Sequence, residues 1–302
     1  MGAITTMPDD KRKYKIGIAF GVGCMVIWGV LPIYWKALIP ISSYVIILYR
    51  IVLAWLTCFL IGLKVYGLSE MIKPLKDKGT ALKCLSCGIL ASSNWSIYIY
   101  AINSGQAIEA SIGYFLQPLI VCIFGIIFFN ERPTKFRFVA LFFAFSGVFI
   151  VIAHFMRIPF IALMLGISFA TYAAIKRHLK MKALLSLFCE TIFIMPILFC
   201  MIVYAEVNGA GALATGQPYQ LALLSLAGIF TATPLAMFAA AANRISMIPL
   251  GILGYIAPSI TLYIGIFVFR EDFNFVQFIA FVVIWIGLLF FTYGEIRQSM
   301  IK

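Results

Sequence analysis

Two ionisable residues stand deep inside apolar stretches of this sequence: Arg50 in YVIILYRIVLAWL and Glu190 in LLSLFCETIFIM. A charge surrounded by hydrocarbon is costly, so such a residue faces a cavity, a partner or a ligand. The chemistry this pattern offers is ion recognition and proton binding rather than covalent catalysis. Arg50 has a second reading, since its long stem can carry the charge toward an interface; Glu190 has less reach. Glu109 sits at the start of another apolar run, where the helix dipole favours an acid and where a protonatable group would guard the mouth of a path. Glu190 and Glu109 are therefore the candidate proton carriers.

Further candidates for lining a path surround these charges. Pro118 and Pro258 each remove a backbone donor within an apolar run, and the freed carbonyl is tolerated best beside a cavity. Asn94 and Gln117 can bond across helices, as can Asn103 and Asn243. Trp95, Tyr98, Tyr114 and Tyr255, with Trp28, could wall a pocket for an amphipathic or aromatic compound. Trp35 and Tyr44 read as interfacial anchors, and Lys176 as an ordinary basic loop residue. Glu131 and Glu271 end apolar runs and read as structural acids, capping the next helix or pairing with a base.

Catalytic and metal signatures are missing from the sequence. It contains no HExxH, GxSxG or nucleotide-binding loop and no paired aspartates within its apolar runs, and its two histidines, His154 and His178, flank loops. No enzyme chemistry, cofactor, metal or ATPase subunit is implied. The seven cysteines are scattered, mostly inside apolar runs, which suits unpaired packing thiols. The single CxxC, Cys84 and Cys87, reads as i, i+3 packing on a helix.

The elements that must position these residues follow from composition. Of 302 residues, 63% are hydrophobic and 11% charged, more apolar surface than a soluble domain can hide. The net charge of +12 lies in short loops between apolar spans, which argues against a nucleic-acid partner. Spans are expected at 16–35, 44–63, 82–103, 107–129, 136–154, 158–175, 184–205, 219–241, 246–269 and 274–294, ten helices each near the ~20 residues that cross a bilayer. With the N-terminus inside, 19 Lys and Arg fall on inner segments and 3 on outer ones. Both termini are then cytoplasmic.

The chain also repeats itself. A shift of 140 places Pro118 on Pro258, Gly125 on Gly265, Glu131 on Glu271 and Gly147 on Gly287; between 101 and 147, 13 of 47 positions match. The same shift puts Arg50 on Glu190. Five spans per half turn the second copy over, which expects an inner tail at 1–15, one five-helix unit at 16–155, an inverted unit at 156–295, and an inner tail at 296–302. Inverted repeats are a transporter architecture, exposing a central site to either side in turn. In such an arrangement Arg50 and Glu190 fall in opposite halves of the membrane. A membrane-embedded enzyme and a channel or adaptor are the competing readings.

The run NxxxxxExSxGYFxxPL at Asn103–Leu119, followed by Glu131 and by LGxxxYIxPS at Leu250–Ser259, resembles the EamA family of the drug/metabolite transporter superfamily, and within it the RarD-like branch. Trp28–Gly29, Arg50 in LYRIV, Asn94–Trp95, Glu190–Thr191 and Thr231–Arg244 extend the likeness over nearly the whole chain. The resemblance implies ten helices in a bacterial inner membrane and export or uptake of a small-molecule substrate, a metabolite or drug; export is the expected direction. It supplies no particular substrate.

Overall fold

Lipid offers no partner to backbone amides and carbonyls, so apolar runs of this length satisfy their own hydrogen bonds as helices. The computed structural model describes residues 8–103, 107–155, 160–270 and 275–300, and no strand occurs among them. The first five helices are α1 (Pro8–Lys36), α2 (Ser43–Lys76), α3 (Lys78–Asn103), α4 (Ala107–Phe129) and α5 (Lys135–Phe155). Then come α6 (Phe160–Leu179), α7 (Ala183–Thr191), α8 (Met195–Val207), α9 (Ala212–Thr215), α10 (Pro218–Ser225), α11 (Ala227–Ala242), α12 (Met247–Leu253), α13 (Ile256–Phe267) and α14 (Phe275–Met300).

The expected spans fall on these helices, with local departures. Among the described residues nine helical stretches are long and apolar enough to cross a membrane. The expected span at 82–103 lies on α3, which is long, at 26 residues, but is not one of the nine; Lys78, Lys83 and a run of serines make it more polar. Three expected spans of the second half are interrupted, between α7 and α8, at Leu226 between α10 and α11, and at Gly254–Tyr255 between α12 and α13. The break in the last lies before Pro258, while α4 runs unbroken through Pro118. α2 changes course at Gly67, whose φ of 75° suits a residue without a Cβ, and Leu68–Lys76 then leads away carrying Glu70, Lys73 and Lys76.

Small residues set the closest crossings. α5 and α14 pack along their lengths, and the seam is reciprocal. A methyl on Gly147 would come 2.8 Å from the Ala280 carbonyl oxygen, and one on Gly287 would come 3.0 Å from that of Ala140. The order of these contacts makes the two helices antiparallel. α4 crosses α12 in the same sense: Pro118 lies against Gly251 and Gly254, and Gly125 against Met247. α1 packs on α11 and α13, α3 and α4 on α6, and α2 on α7 and α11.

One end of the bundle gathers the start of α1, the start of α5 and the end of α14. The Tyr14 hydroxyl donates to Glu295 Oε2 at 2.6 Å, and Arg137 Nη2 lies 2.9 Å from Glu295 Oε1 and donates to the Tyr14 oxygen at 2.9 Å. The first and last helices therefore meet at the same end.

Candidate functional site

The middle of the bundle is built by two i, i+4 pairs that face one another. Tyr172 and Lys176 lie one turn apart on α6, and Ser186 and Glu190 one turn apart on α7, which places each pair on one helix face. Lys176 Nζ sits 2.6 Å from Glu190 Oε2 and donates to Ser186 Oγ at 2.8 Å. The Tyr172 hydroxyl donates to Glu190 Oε1 at 3.4 Å. The two charged side chains are 1% and 3% exposed, so the pair is sealed from solvent. The buried thiols of Cys58, Cys84, Cys87 and Cys189 surround it.

Lys176 corrects the expectation from sequence. A residue near the end of a span in a basic segment reads as a loop charge. It is instead fully buried, because α6 continues to Leu179 and packs under α3, α4 and α11. The signal that could have revealed it is the tyrosine four residues earlier on the same face.

A void of about 20 Å³, room for the centre of roughly one water, opens beside Glu190. Its walls include Ile51 of α2, Gly88, Ser92 and Trp95 of α3, Tyr172 of α6 and Leu235 of α11. Gly88 lets α3 lie directly on the Glu190 carbonyl, where a Cβ would collide with backbone. Trp28, Phe169 and Phe238 pack with Tyr172 at ring centroid distances of 5.3–6.2 Å, joining α1, α6 and α11.

Arg50 stands on the other side of Trp95. Its guanidinium carbon is 4.4 Å from the Trp95 ring centroid and 5.0 Å from that of Trp35. Trp35, read from sequence as an interfacial anchor, thus turns inward onto the arginine. Tyr98 and Tyr114 meet edge to face at 5.4 Å, and Tyr114 is an electrostatic neighbour of Arg50. Asn94 Nδ2 donates to the Leu165 carbonyl at 2.8 Å and to Ser168 Oγ at 2.9 Å, fixing α3 to α6.

The remaining candidates lie apart from this group. Gln117 is half-buried on α4 opposite Gly166, and Pro118 is buried in the α4–α12 crossing. Neither Pro118 nor Pro258 reaches the void; Pro258 is half-buried on α13 and Tyr255 is buried at the α12–α13 break. Glu109 is on the first turn of α4, but its side chain lies outside the described residues, as does the whole of Glu271.

Glu131 caps a helix, though not the next one in sequence. Its carboxylate accepts from the Met247 amide at 2.7 Å and the Ile248 amide at 2.9 Å, the first two of α12, and pairs with Arg177. Glu206 has a comparable role that sequence reading missed, accepting from the Tyr49 hydroxyl at 2.7 Å and from the Ala212 and Leu213 amides at the start of α9. No group of three or more His, Cys, Asp or Glu able to hold a metal occurs among the described residues. All seven cysteines are free; six are buried and Cys200 is exposed.

Known proteins share this chain's sequence over most of its length. Residues 15–153 match the model of the EamA-like transporter family. The uncharacterized transporter YojE of Bacillus subtilis is 36% identical over 287 residues, 94% of this chain and 95% of that one. The chain belongs to the EamA-like transporter family. Protein RarD of Streptomyces exfoliatus is 30% identical, covering 96% of this chain and 92% of its own, and protein RarD of Escherichia coli is 28% identical over 95% and 97%. A crystal structure at 14% identity superposes with a TM-score of 0.70 over 91% of this chain and 96% of that one, a shared fold. With nine membrane-capable helices among its described residues, this EamA-like chain is a multi-pass membrane protein.

Proposed function

We propose that the chain is a secondary transporter of the bacterial inner membrane that exports small metabolites or drugs by alternating access. Its ten helices form two inverted halves, 16–155 and 156–295, with α3 as the tenth crossing and both termini cytoplasmic. The observation that carries the reading is the sealed Lys176–Glu190 pair beside a water-sized void walled by helices of both halves. A closed chamber at the seam between two halves is what an occluded carrier requires, and a void of this size is too small for a conducting pore.

Three features support inversion. α5 and α14, the fifth helices of the two halves, cross antiparallel and reciprocally through Gly147 and Gly287. The pairing of α4 with α6 has its mate in that of α13 with α1, and the pairing of α3 with α6 in that of α11 with α1. The Tyr14–Glu295 bond joins the start of α1 to the end of α14, which supports an even number of crossings. Glu190 is the proton site in this reading: its protonation would release Lys176, which belongs to the same half, and change the charge of the wall that this half presents to the first. Glu109 is the second candidate.

The decisive experiment is accessibility. In a variant lacking the native cysteines, Ser92→Cys in the void wall is labelled from either face of oriented vesicles. A carrier exposes it to one face at a time, with the accessible face switched by an imposed proton gradient. Simultaneous labelling from both faces would mean a channel, and tags at Gln106 and Ser246 on one side would remove the inversion. Gln variants of Glu190 and Glu109 that both retain the gradient response would remove proton coupling. Metabolite profiles of deletion and overexpression strains would name the substrate.

A further inference from the structure

Several described cations of the bundle have an oxygen partner of their own. Lys176 has Glu190, Arg137 has Glu295, Arg177 has Glu131, and Arg244 donates to the Ala240 carbonyl at 2.8 Å. Arg50 differs. Its Nε is buried without a hydrogen-bond acceptor, and no carboxylate among the described residues pairs with it. Glu206, reached through the neighbouring Tyr49, is already occupied by that hydroxyl and two backbone amides.

The two tryptophans hold Arg50 without using up its donors. An aromatic face attracts the charge, but it presents no lone pair to the planar fork of N–H groups that matches a carboxylate. The surroundings leave room for such a partner. Tyr114, beside Arg50, keeps 44% of its surface open, and Trp95, whose ring lies on Arg50, also lines the void at Glu190. The charge count points the same way: Lys176 and Glu190 cancel, leaving Arg50 uncompensated among the described residues, in an apolar setting where a lone charge is expensive.

We infer that Arg50 is the anchor for a carboxylate on the transported molecule, so that the substrate class is small organic acids with an apolar or aromatic body. The carboxylate takes the in-plane donors of the guanidinium, and the body lies among Trp95, Tyr98 and Tyr114. This assignment rests on the transporter reading above and adds the chemistry of its cargo. The tryptophan contacts hold Arg50 in place, whereas snorkelling would draw it toward lipid phosphates.

Equilibrium binding tests it without transport. Protein in phosphatidylcholine nanodiscs is titrated with radiolabelled benzoate, with unlabelled benzamide as the uncharged competitor of the same shape. Benzoate is expected to bind, and benzamide to compete at least tenfold more weakly, the factor set by one charge-assisted hydrogen bond. Arg50→Gln abolishes binding. Arg50→Lys keeps the charge, loses the fork and weakens binding about tenfold, so it remains informative where the Gln variant does not fold. Lys73→Gln, on the exposed tail of α2, binds as wild type does. Equal competition by benzamide, unaltered binding in Arg50→Lys, or no benzoate binding by folded wild-type protein would overturn the inference. If Ser92→Cys still alternates while benzoate does not bind, the carrier stands and the cargo assignment falls. If benzoate binds while Ser92→Cys does not alternate, the anchor at Arg50 stands and the carrier falls.

Discussion

Lys176 reaches across from α6 to within 2.6 Å of Glu190 on α7, and the two helices seal both side chains to 1% and 3% exposure. Removing one partner of such a pair strands the other charge in an apolar core, at a cost of about 3–5 kcal/mol, whereas removing both together is often near neutral. Glu190→Gln and Lys176→Met should therefore each lower stability in detergent by about that amount, and the double variant should recover most of it. A double-mutant cycle of denaturant unfolding measures the coupling. Additive losses would show that the two charges do not depend on each other.

Glu131 ties the end of α4 to the start of α12 and to Arg177. Its two backbone bonds satisfy amides that a seven-residue helix has no other means of covering. Glu131→Gln should cost about 1–3 kcal/mol, the penalty of weakening a buried charged acceptor. Arg177→Gln should cost less, about 0–1 kcal/mol, because the arginine is 26% exposed and such pairs are screened. Hydrogen exchange separates the two: the Met247 and Ile248 amides should lose protection in the Glu131 variant and keep it in the Arg177 variant.

How far the sequence carried is clearest at these residues. Apolar runs near bilayer length located nearly every helix, because lipid leaves the backbone one solution. Arg50 and Glu190 were legible because a charge in such a run has few harmless explanations. Lys176 was not, since its meaning depends on α6 extending past the expected span end at 175 and on α7 bringing Glu190 to it. Trp35 and Glu206 were hidden for the same reason: each acts on a residue of another helix, Arg50 and Tyr49 of α2. The break at Gly254 was legible too, since Pro258 cannot donate to the Gly254 carbonyl and its ring crowds it; the break at Leu226 has no such local signal.

Asp77 gives a pH dependence at the loop end of α3. The Thr80 hydroxyl and then its amide donate to the carboxylate, the amide to Oδ2 at 2.8 Å, holding its pKa below the usual carboxylate range. A depressed folded-state pKa means stability that is fully present above about pH 4 and lost as pH falls below it. The first turn of α3 should fray in that window and no higher. Amide exchange at Thr80 and Ala81 across pH 6 to 3 checks this, and Asp77→Ala should show the frayed behaviour at every pH.

Gly147 and Gly287 make the sharpest test of the α5–α14 seam and of the inversion proposed for it. Each faces a backbone carbonyl of the opposite helix, Ala280 at 2.8 Å and Ala140 at 3.0 Å from where a Cβ would sit, and backbone cannot yield as a flexible side chain would. Alanine at either position should cost about 1–3 kcal/mol of overpacking, and the proposed two-fold relation requires the two losses to be alike. Gly79→Ala is the contrast, for its nearest neighbour would be the Asp77 carboxylate at 3.5 Å, an ordinary contact; helix preference then makes it neutral or stabilising by up to about 1 kcal/mol. Unfolding of the three variants in one detergent decides the matter. A large loss at Gly147 with none at Gly287 would mean that α5 and α14 do not meet as equivalent partners, and the case for two exchanging halves would lose its closest physical contact.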